Sequence, residues 1–261
     1  MPSIAEDELG RLWALVDRLG YDLDPSILIG GWATHLRIGG DISRDIDLII
    51  NGPQLRSKLR EVLDDYSENT HHSGGRKVRG SVDGIHVDAY IPYESALGDK
   101  LRLDVDRLSK YTDREVVKGW WLLNLDAHLA TKFAALLDRP DTEKGEKDAR
   151  EIVGLLREGA TASGTVSVLL DATGGDKSRV PGYVQNIFDF LPDRAVLNKR
   201  DRRWLADLRR EWVDEAERQY RRSQKAGDGE PPGSSRGKTT ADSTSGSFAP
   251  HARSAPDIRL R

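Results

Sequence analysis

The sequence contains no cysteine, and this absence removes several kinds of chemistry. Disulfide bonds, cysteine-ligated zinc sites and thiol nucleophiles each need a sulfur atom that only cysteine supplies, so this chain cannot build them. The absence also suits a reducing compartment. The chemistry that remains belongs to carboxylates, amines, hydroxyls, imidazoles and backbone groups.

Long apolar runs and a large charge of one sign are missing as well. No apolar run approaches the ~20 residues that a membrane-spanning helix needs, and the acidic start MPSIAEDELG lacks the apolar stretch of a secretory signal. The net charge is −3 and the pI is about 6.1, so no overall positive field indicates a nucleic-acid or membrane partner. We therefore expect a cytoplasmic protein with no membrane partner.

The last 36 residues, 226–261, have little that could form a core, because 18 of them are Gly, Ser, Pro or Thr. Such a segment cannot bury enough apolar surface to offset the entropy lost on ordering, so we predict a disordered tail. It could serve as a linker, a binding tail or a solvated extension.

The first 225 residues carry the patterns of a folded α/β (α+β) protein. Short apolar runs at 27–29 and 42–50 predict two buried strands, and alternating runs joined by Asp83-Gly84 predict a hairpin. After about Leu101 the character of the sequence changes, with helices predicted over LNLDAHLATKFAALLDRP, EKGEKDAREIVGLLREG and 193–224. We predict a small mixed β-sheet core with flanking helices (1–115), a helical C-terminal domain (116–225) and the tail.

Two carboxylates lie in the second predicted strand, at Asp45 and Asp47 of DIDLII. Side chains alternate along a strand, so the two aspartates share one face while Ile46, Leu48 and Ile50 share the other. Two such charges, at most about 7 Å apart, raise each other's pKa unless a cation neutralises them. A bound Mg²⁺ ion is one solution, and a solvated strand edge is the alternative.

The predicted hairpin offers a third carboxylate. In GIHVDAYI, Asp88 lies on the polar face with His86 and Tyr90. If this strand lies beside the DIDLII strand, Asp88 joins Asp45 and Asp47, and three aspartates on adjacent strands can hold two metal ions for phosphoryl transfer. We therefore predict a metal site of Asp45, Asp47 and Asp88.

A glycine pair, Gly30-Gly31, ends the first predicted strand and precedes a short helix. Without side chains, these residues let backbone N–H groups approach phosphate oxygens at a helix N-terminus, where negative charge is favoured. Ser43 is a further candidate donor to the same phosphate. A plain strand-to-helix turn is the alternative, because glycine pairs also mark such turns.

These motifs together resemble the nucleotidyltransferase superfamily that includes DNA polymerase β. The pattern is most similar to the AbiEii/MenT toxins of bacterial toxin–antitoxin systems. The resemblance spans about residues 27 to 156, and the matching motifs are GGWA, SRDIDL with the later VDAYIP, KFAALLDR (132–139) and Lys147-Asp148.

The resemblance implies a role for each matching residue. Mg²⁺ would be held by Asp45, Asp47 and Asp88 as a two-ion site, and the triphosphate of an NTP would contact Gly30, Gly31 and Ser43. Lys132 would touch the nucleotide phosphates or the incoming acceptor, and Asp148 would orient a neighbouring base or lysine. Relatives commonly carry an arginine two positions before the serine, where this chain has Asp41, so Arg37 or Arg44 are the candidate substitutes.

Helix geometry leaves the roles of the later residues open. Arg139 lies about two turns after Lys132 on the same side of the helix, so both cations could meet a triphosphate or could extend over apolar surface. Asp148 could equally be a charge stabilised by the helix dipole. The helix near 193–224 is rich in Lys and Arg, which suits an RNA backbone or an ordinary charged surface.

The resemblance leads to three functional hypotheses. The first is a Mg²⁺-dependent enzyme that moves an NMP from an NTP to an acceptor hydroxyl, with the tRNA 3′ end as the acceptor and an antitoxin protein as a partner. The second is a small-molecule adenylyltransferase of the aminoglycoside or lincosamide type. The third is a catalytically inactive nucleotide-binding or antitoxin-type interaction protein.

Overall fold

A computed structural model describes residues 6–39, 41–68 and 75–227 of the chain, and within these ranges it contains nine α-helices, eight strands and one short 3₁₀ turn. The strands are β1 (Ile27–Ile29), β2 (Asp45–Ile49), β3 (Asp64–Ser67), β4 (Gly75–Val82), β5 (Ile85–Leu97), β6 (Leu103–Asp104), β7 (Thr112–Val117) and β8 (Trp120–Leu123). The helices are α1 (Glu6–Asp22), α2 (Gly30–Ile38), α3 (Pro53–Val62), α4 (Val105–Leu108), α5 (Leu125–Asp138), α6 (Glu143–Glu158), α7 (Ala162–Ala172), α8 (Val180–Arg194) and α9 (Lys199–Gly227).

One mixed sheet organises the fold, in the strand order β3-β4-β5-β2-β1-β8-β7, with β6 paired to β5. The central pair β2–β5 is parallel and so is β1–β8, whereas β1–β2 and β4–β5 are antiparallel. The β4–β5 hairpin turns at Asp83 and Gly84, which both have positive φ (52° and 78°) as a tight two-residue turn requires.

Helices cover both faces of the sheet and bury a separate apolar core on each. The first core lies against α1 and α3, and it takes Leu28, Ile46 and Leu48 from the central strands. The second core lies against α5 to α9 and takes Ile27, Ile29 and Ile49. Because neighbouring strand residues point to opposite faces, Asp45 and Asp47 point toward the second, helical side.

The predicted fold class is confirmed: a mixed sheet with flanking helices leads into a helical C-terminal half. Some details differ. The second strand is shorter than predicted and begins at Asp45, and β3, β7 and β8 were not predicted. Trp120 and Trp121 form the start of β8.

The predicted division at residue 115 stays a prediction, although the sheet itself runs on to Leu123. The predicted tail lies outside the described residues from residue 228 onward. Among the residues that the structure describes, none of the helices is both long and apolar enough to cross a membrane.

Candidate active site

The three aspartates that the sequence singled out meet on one face of the sheet. Asp47 of β2 lies directly beside Asp88 of β5, and Asp45 lies beside His86. Neighbouring strands are about 4.8 Å apart, so these carboxylates form one cluster. On its other side, β2 pairs with β1, where Ile29 lies opposite Asp47 and leads directly into Gly30.

An open cavity of about 1190 Å³ lies above this cluster, between the sheet and the helices α5 and α6. The residues proposed from the sequence as site residues lie in five separate segments of the chain. The structure brings all ten of them to the lining of this cavity: Gly30, Gly31, Ser43, Arg44, Asp45, Asp47, Asp88, Lys132, Arg139 and Asp148.

These ten residues come from the start of α2, from β2 and the segment that leads into it, from β5, from α5 and its C-terminal end, and from α6. The fold therefore brings together all the residues that the sequence motifs nominated, although it does not by itself assign them a role.

The glycine pair forms the start of α2, directly above Asp47. Gly30 has a φ of +69°, and a Cβ added there would lie 2.4 Å from Asp47 Oδ2. A Cβ added at Gly31 would lie 2.8 Å from the Ser43 Cβ and 3.3 Å from Lys147 Nζ. The first N–H groups of a helix have no partner within the helix, so this turn can present them to an anion close to the carboxylates.

Replacing Gly30 by alanine is expected to destabilise the protein more than backbone strain alone explains. The left-handed conformation costs an alanine about 1–2 kcal/mol, and the new methyl group must also displace the Asp47 carboxylate. Gly84→Ala is the matched control, because Gly84 has a φ of +78° with nothing within 4 Å of an added Cβ. Urea unfolding of both variants tests this, and equal losses of stability would show that the contact with Asp47 carries no cost.

A buried histidine fixes this turn against α5. Thr34 Oγ1 donates a hydrogen bond to the Gly30 carbonyl (3.1 Å) and lies 3.0 Å from His128 Nε2. Because the threonine proton is already used, His128 Nε2 is the donor to Thr34 Oγ1. Burial lowers the pKa of His128 well below its usual value and so favours the neutral imidazole. The glycine turn is thereby tied to the helix that carries Lys132.

Asp47 is the carboxylate whose charge is compensated least. Its pKa is raised from 3.8 to about 6, first because it is buried and then because the Asp88 charge is close, and Lys132 and Lys77 oppose this rise only in part. An ionised Asp47 therefore costs free energy in the folded protein. A cation bound beside it would remove that cost.

Basic side chains hold the other two aspartates. Lys77 Nζ lies 2.6 Å from Asp88 Oδ2, and Arg79 Nε lies 3.1 Å from Asp88 Oδ1. Lys144 Nζ of α6 lies 3.4 Å from Asp45 Oδ2, with both side chains substantially exposed. Each of these two aspartates is thus paired within the cavity.

Opposite the sheet, a buried ion cluster joins α5 to α6. Lys132 Nζ lies 2.5 Å from Glu151 Oε2 and 3.6 Å from Asp148 Oδ1, and all three side chains are at most 6% exposed. Arg139 binds the second Asp148 oxygen through Nε and Nη2, at 2.8 Å and 2.7 Å. Asp148 thus contacts both basic residues.

Asp41 forms an ion pair with Arg150 of α6. Arg150 Nη2 lies 2.8 Å from Asp41 Oδ2, both residues line the cavity, and this hydrogen bond lowers the pKa of Asp41. Arg37 points elsewhere, since its guanidinium donates to Asp113 and to the Leu123 carbonyl. Arg44 lines the cavity, and its role as a substitute stays a prediction.

The donor chemistry of the cluster fits a divalent cation, but the side chains are not grouped as ligands. Three carboxylates share one face, and the raised pKa of Asp47 marks negative charge that a cation would neutralise. Yet within residues 6–39, 41–68 and 75–227, no group of three or more His, Cys, Asp or Glu side chains is arranged so that it could hold a metal ion. Asp88 instead contacts Lys77, and Asp45 contacts Lys144.

Sequence reasoning missed several residues that complete the site. Lys77 and Arg79 could have been predicted from the sequence. The two-residue turn at Asp83-Gly84 fixes the hairpin register and places Arg79 opposite Asp88. The contributions of Glu151, Arg150 and His128 depend on helix packing, for which no local sequence pattern exists.

The basic helix α9 packs against α7 and α8, away from the residues that line the cavity. Several of its basic side chains pair with acids on the same or a neighbouring helix, such as Arg221 with Glu217 and Arg209 with Asp189 of α8. These pairs are typical of an ordinary charged helix surface.

The chain matches no protein-family model and no curated protein. Among solved structures, a crystal structure of ANT(2″)-Ia in complex with adenylyl-2″-tobramycin is 14% identical, with 61% of this chain and 95% of that chain covered and a TM-score of 0.45. An antigenic nucleotidyltransferase-like protein from Paracoccidioides brasiliensis is 15% identical, with coverages of 73% and 91% and a TM-score of 0.45. A putative nucleotidyltransferase from Thermotoga maritima is 18% identical, with coverages of 56% and 92% and a TM-score of 0.36.

These neighbours are nucleotidyltransferases or nucleotidyltransferase-like proteins. Their identities and TM-scores are low, so the residues of the cavity, and not these likenesses, support the function proposed below.

Proposed function

We propose that the cavity catalyses Mg²⁺-dependent transfer of an NMP from an NTP to an acceptor hydroxyl. The observation that carries this proposal is the register of β2 and β5, which places Asp47 beside Asp88 under the glycine turn. Carboxylates beside a helix N-terminus and several basic residues suit a triphosphate with its metal ions. The function belongs to the class of nucleotidyltransferases.

Each group of residues has a part in this proposal. The triphosphate lies between the start of α2, with Gly30, Gly31, Ser43 and Arg44, and the basic pair Lys132 and Arg139. Asp45, Asp47 and Asp88 would hold Mg²⁺, which would neutralise phosphate charge and polarise the attacking hydroxyl. Asp148 keeps Lys132 and Arg139 aimed at the cavity.

The reaction is an in-line displacement at the α-phosphorus. The acceptor oxygen bonds to the α-phosphorus while the bond to the bridging oxygen breaks, and pyrophosphate leaves. The hydroxyl proton passes to a cavity carboxylate or to solvent. The side chains of Lys132 and Arg139 stabilise charge on the phosphates as this happens.

For the acceptor, the motif resemblance to AbiEii/MenT toxins points to the tRNA 3′ end. Modification there would stop aminoacylation and make the protein the toxin of a toxin–antitoxin system, with an antitoxin protein as its partner. The second candidate is a small polyamine acceptor such as an aminoglycoside. It is favoured by the acids Asp41, Asp99 and Asp138 among the residues that line the cavity.

Labelled NTPs test the proposal directly. The purified protein is incubated with Mg²⁺ and each α-labelled NTP in turn, with either total tRNA or a panel of aminoglycosides, and Asp47→Asn serves as the inactive control. We expect label on the 3′ end of tRNA together with released pyrophosphate. Label on aminoglycosides alone would support the second candidate, and NTP binding without transfer to either acceptor would support an inactive nucleotide-binding protein.

A further inference from the structure

A buried chain of hydrogen bonds runs from the glycine turn to α5. Thr34 Oγ1 donates to the Gly30 carbonyl at 3.1 Å, and His128 Nε2 donates to Thr34 Oγ1 at 3.0 Å. Thr34 and His128 are 1% and 2% exposed, and neither residue lines the cavity. Any part that they take in the proposed reaction must therefore act through the residues that do line it.

The bond from His128 is the one that joins separate elements. A threonine that hydrogen-bonds to the carbonyl four residues earlier is ordinary within a helix, so the bond to Gly30 by itself indicates no role. His128 belongs to another helix, 94 residues further along the chain. Burial, and then the nearby charges of Lys132 and Arg37, lower the pKa of His128, so its imidazole is neutral at physiological pH and donates this bond.

Both ends of the chain of hydrogen bonds lie at the proposed phosphate site. Gly30 begins α2, and a Cβ added there would collide with the Asp47 carboxylate, so the turn lies directly against that aspartate. Lys132 lies four residues after His128, one turn along α5 and on the same side of the helix. The hydrogen bonds therefore fix the start of α2 relative to the part of α5 that carries Lys132.

We propose that Thr34 and His128 are positioning residues, which hold the glycine turn and Lys132 at the separation that one triphosphate needs to contact both. This inference rests on the proposed function. Without the bond between α2 and α5, the two phosphate-binding groups would sample several separations, and a smaller fraction of the molecules would have the right one. The apparent affinity for the triphosphate would fall in proportion to that fraction.

Thr165 of α7 provides a matched control. It is fully buried, and its Oγ1 donates to Asp126 Oδ1 of α5 at 3.1 Å, so it too joins α5 to another helix. Neither Thr165 nor Asp126 lines the cavity. Because Asp126 is charged, this bond is at least as strong as the one from His128. Thr165→Val should therefore cost at least as much stability as Thr34→Val without changing the separation of the phosphate-binding groups.

Triphosphate binding tests the positioning role. Titration calorimetry in Mg²⁺ measures the Kd of each of the four nucleoside triphosphates with a methylene α–β bridge. We expect Thr34→Val and His128→Leu each to weaken binding by about tenfold, the scale of one buried hydrogen bond. The double variant should lose no more than either single variant, because both substitutions break the same connection. Thr34→Ser keeps the hydroxyl and His128→Gln keeps an N–H donor, so both should retain most of the affinity.

The outcomes distinguish this inference from the proposed function. If the wild type binds a triphosphate and Thr34→Val and His128→Leu bind it equally well, the positioning role is wrong while the proposed function stands. The same follows if Thr165→Val or the two conservative variants lose as much affinity, or if the two single losses add in the double variant. If the wild type binds none of the four triphosphates, both are wrong. Circular dichroism shows which variants are folded, and either single substitution suffices if the other unfolds the protein.

Discussion

Asp47→Asn is expected to lower the transfer rate by about 10³-fold or more, the scale on which loss of a group that stabilises transition-state charge acts. The same substitution is expected to stabilise the folded protein at neutral pH. The two effects have one cause, because the ionised Asp47 carboxylate that the reaction needs also destabilises the folded protein.

The sign follows from the pKa of Asp47, which is raised from 3.8 to about 6 in the folded protein. Between these values, the folded state holds more protons than the unfolded state, so this group lowers the free energy of unfolding as the pH rises from about 4 to about 6. Above the raised pKa, the ionisation of Asp47 lowers the free energy of unfolding by its full amount, about 2–3 kcal/mol. Below about pH 4, Asp47 is protonated in both states and this effect is absent.

Thermal unfolding of the wild type and Asp47→Asn between pH 4 and pH 8 measures this difference. We expect the melting temperature of the variant to exceed that of the wild type at pH 7.5 and to match it at the acid end. Asp64→Asn, at an exposed position of β3, is the control and should show neither change. A variant that is less stable than the wild type at pH 7.5 would contradict the account of Asp47.

Lys132→Met is expected to destabilise the protein by about 3 kcal/mol or more, because it leaves a buried charge without its partner. Glu151 is the residue most affected. Burial already raises its pKa, and Lys132 opposes that rise. Asp148 keeps its contact with Arg139, and Lys147 lies 3.8 Å from Glu151, so these contacts limit the loss.

Urea unfolding measures the stability lost in Lys132→Met, and a second substitution tests the cause of that loss. Adding Glu151→Gln to Lys132→Met removes the unpaired charge and should restore most of the stability. If Lys132 binds the triphosphate, the stable double variant should still transfer no NMP. Recovery of both NMP transfer and stability would mean that Lys132 only stabilises the fold and does not bind the triphosphate. Lys144→Met, at an exposed pair, should leave stability nearly unchanged.

The sequence was sufficient to assign each of the three aspartates to a face of its strand, because strand periodicity is a local property. Alternation put Asp45 and Asp47 on one face, and the turn at Asp83-Gly84 put Asp88 on the polar face of β5. The pairing of β2 with β5 was an assumption at that stage, and the observed register supports it.

The charges around the aspartates could not be predicted in the same way. Lys144, Arg150 and Glu151 lie on α6, and their partners depend on how that helix packs over the sheet. The strands β7 and β8 were missed for a related reason. Only four residues form β8, and it is recognisable as a strand chiefly through its pairing with β1 and β7.

The claim that the aspartates hold the metal for NMP transfer is tested most directly by a crystal structure with Mn²⁺ and a nucleoside triphosphate analogue whose α–β bridge is methylene. Anomalous scattering locates the metal in this structure. We predict Mn²⁺ bound between the carboxylates of Asp47 and Asp88, with the phosphates against the start of α2. Mn²⁺ or triphosphate located away from these aspartates, with the three carboxylates making no contact to either, would contradict it.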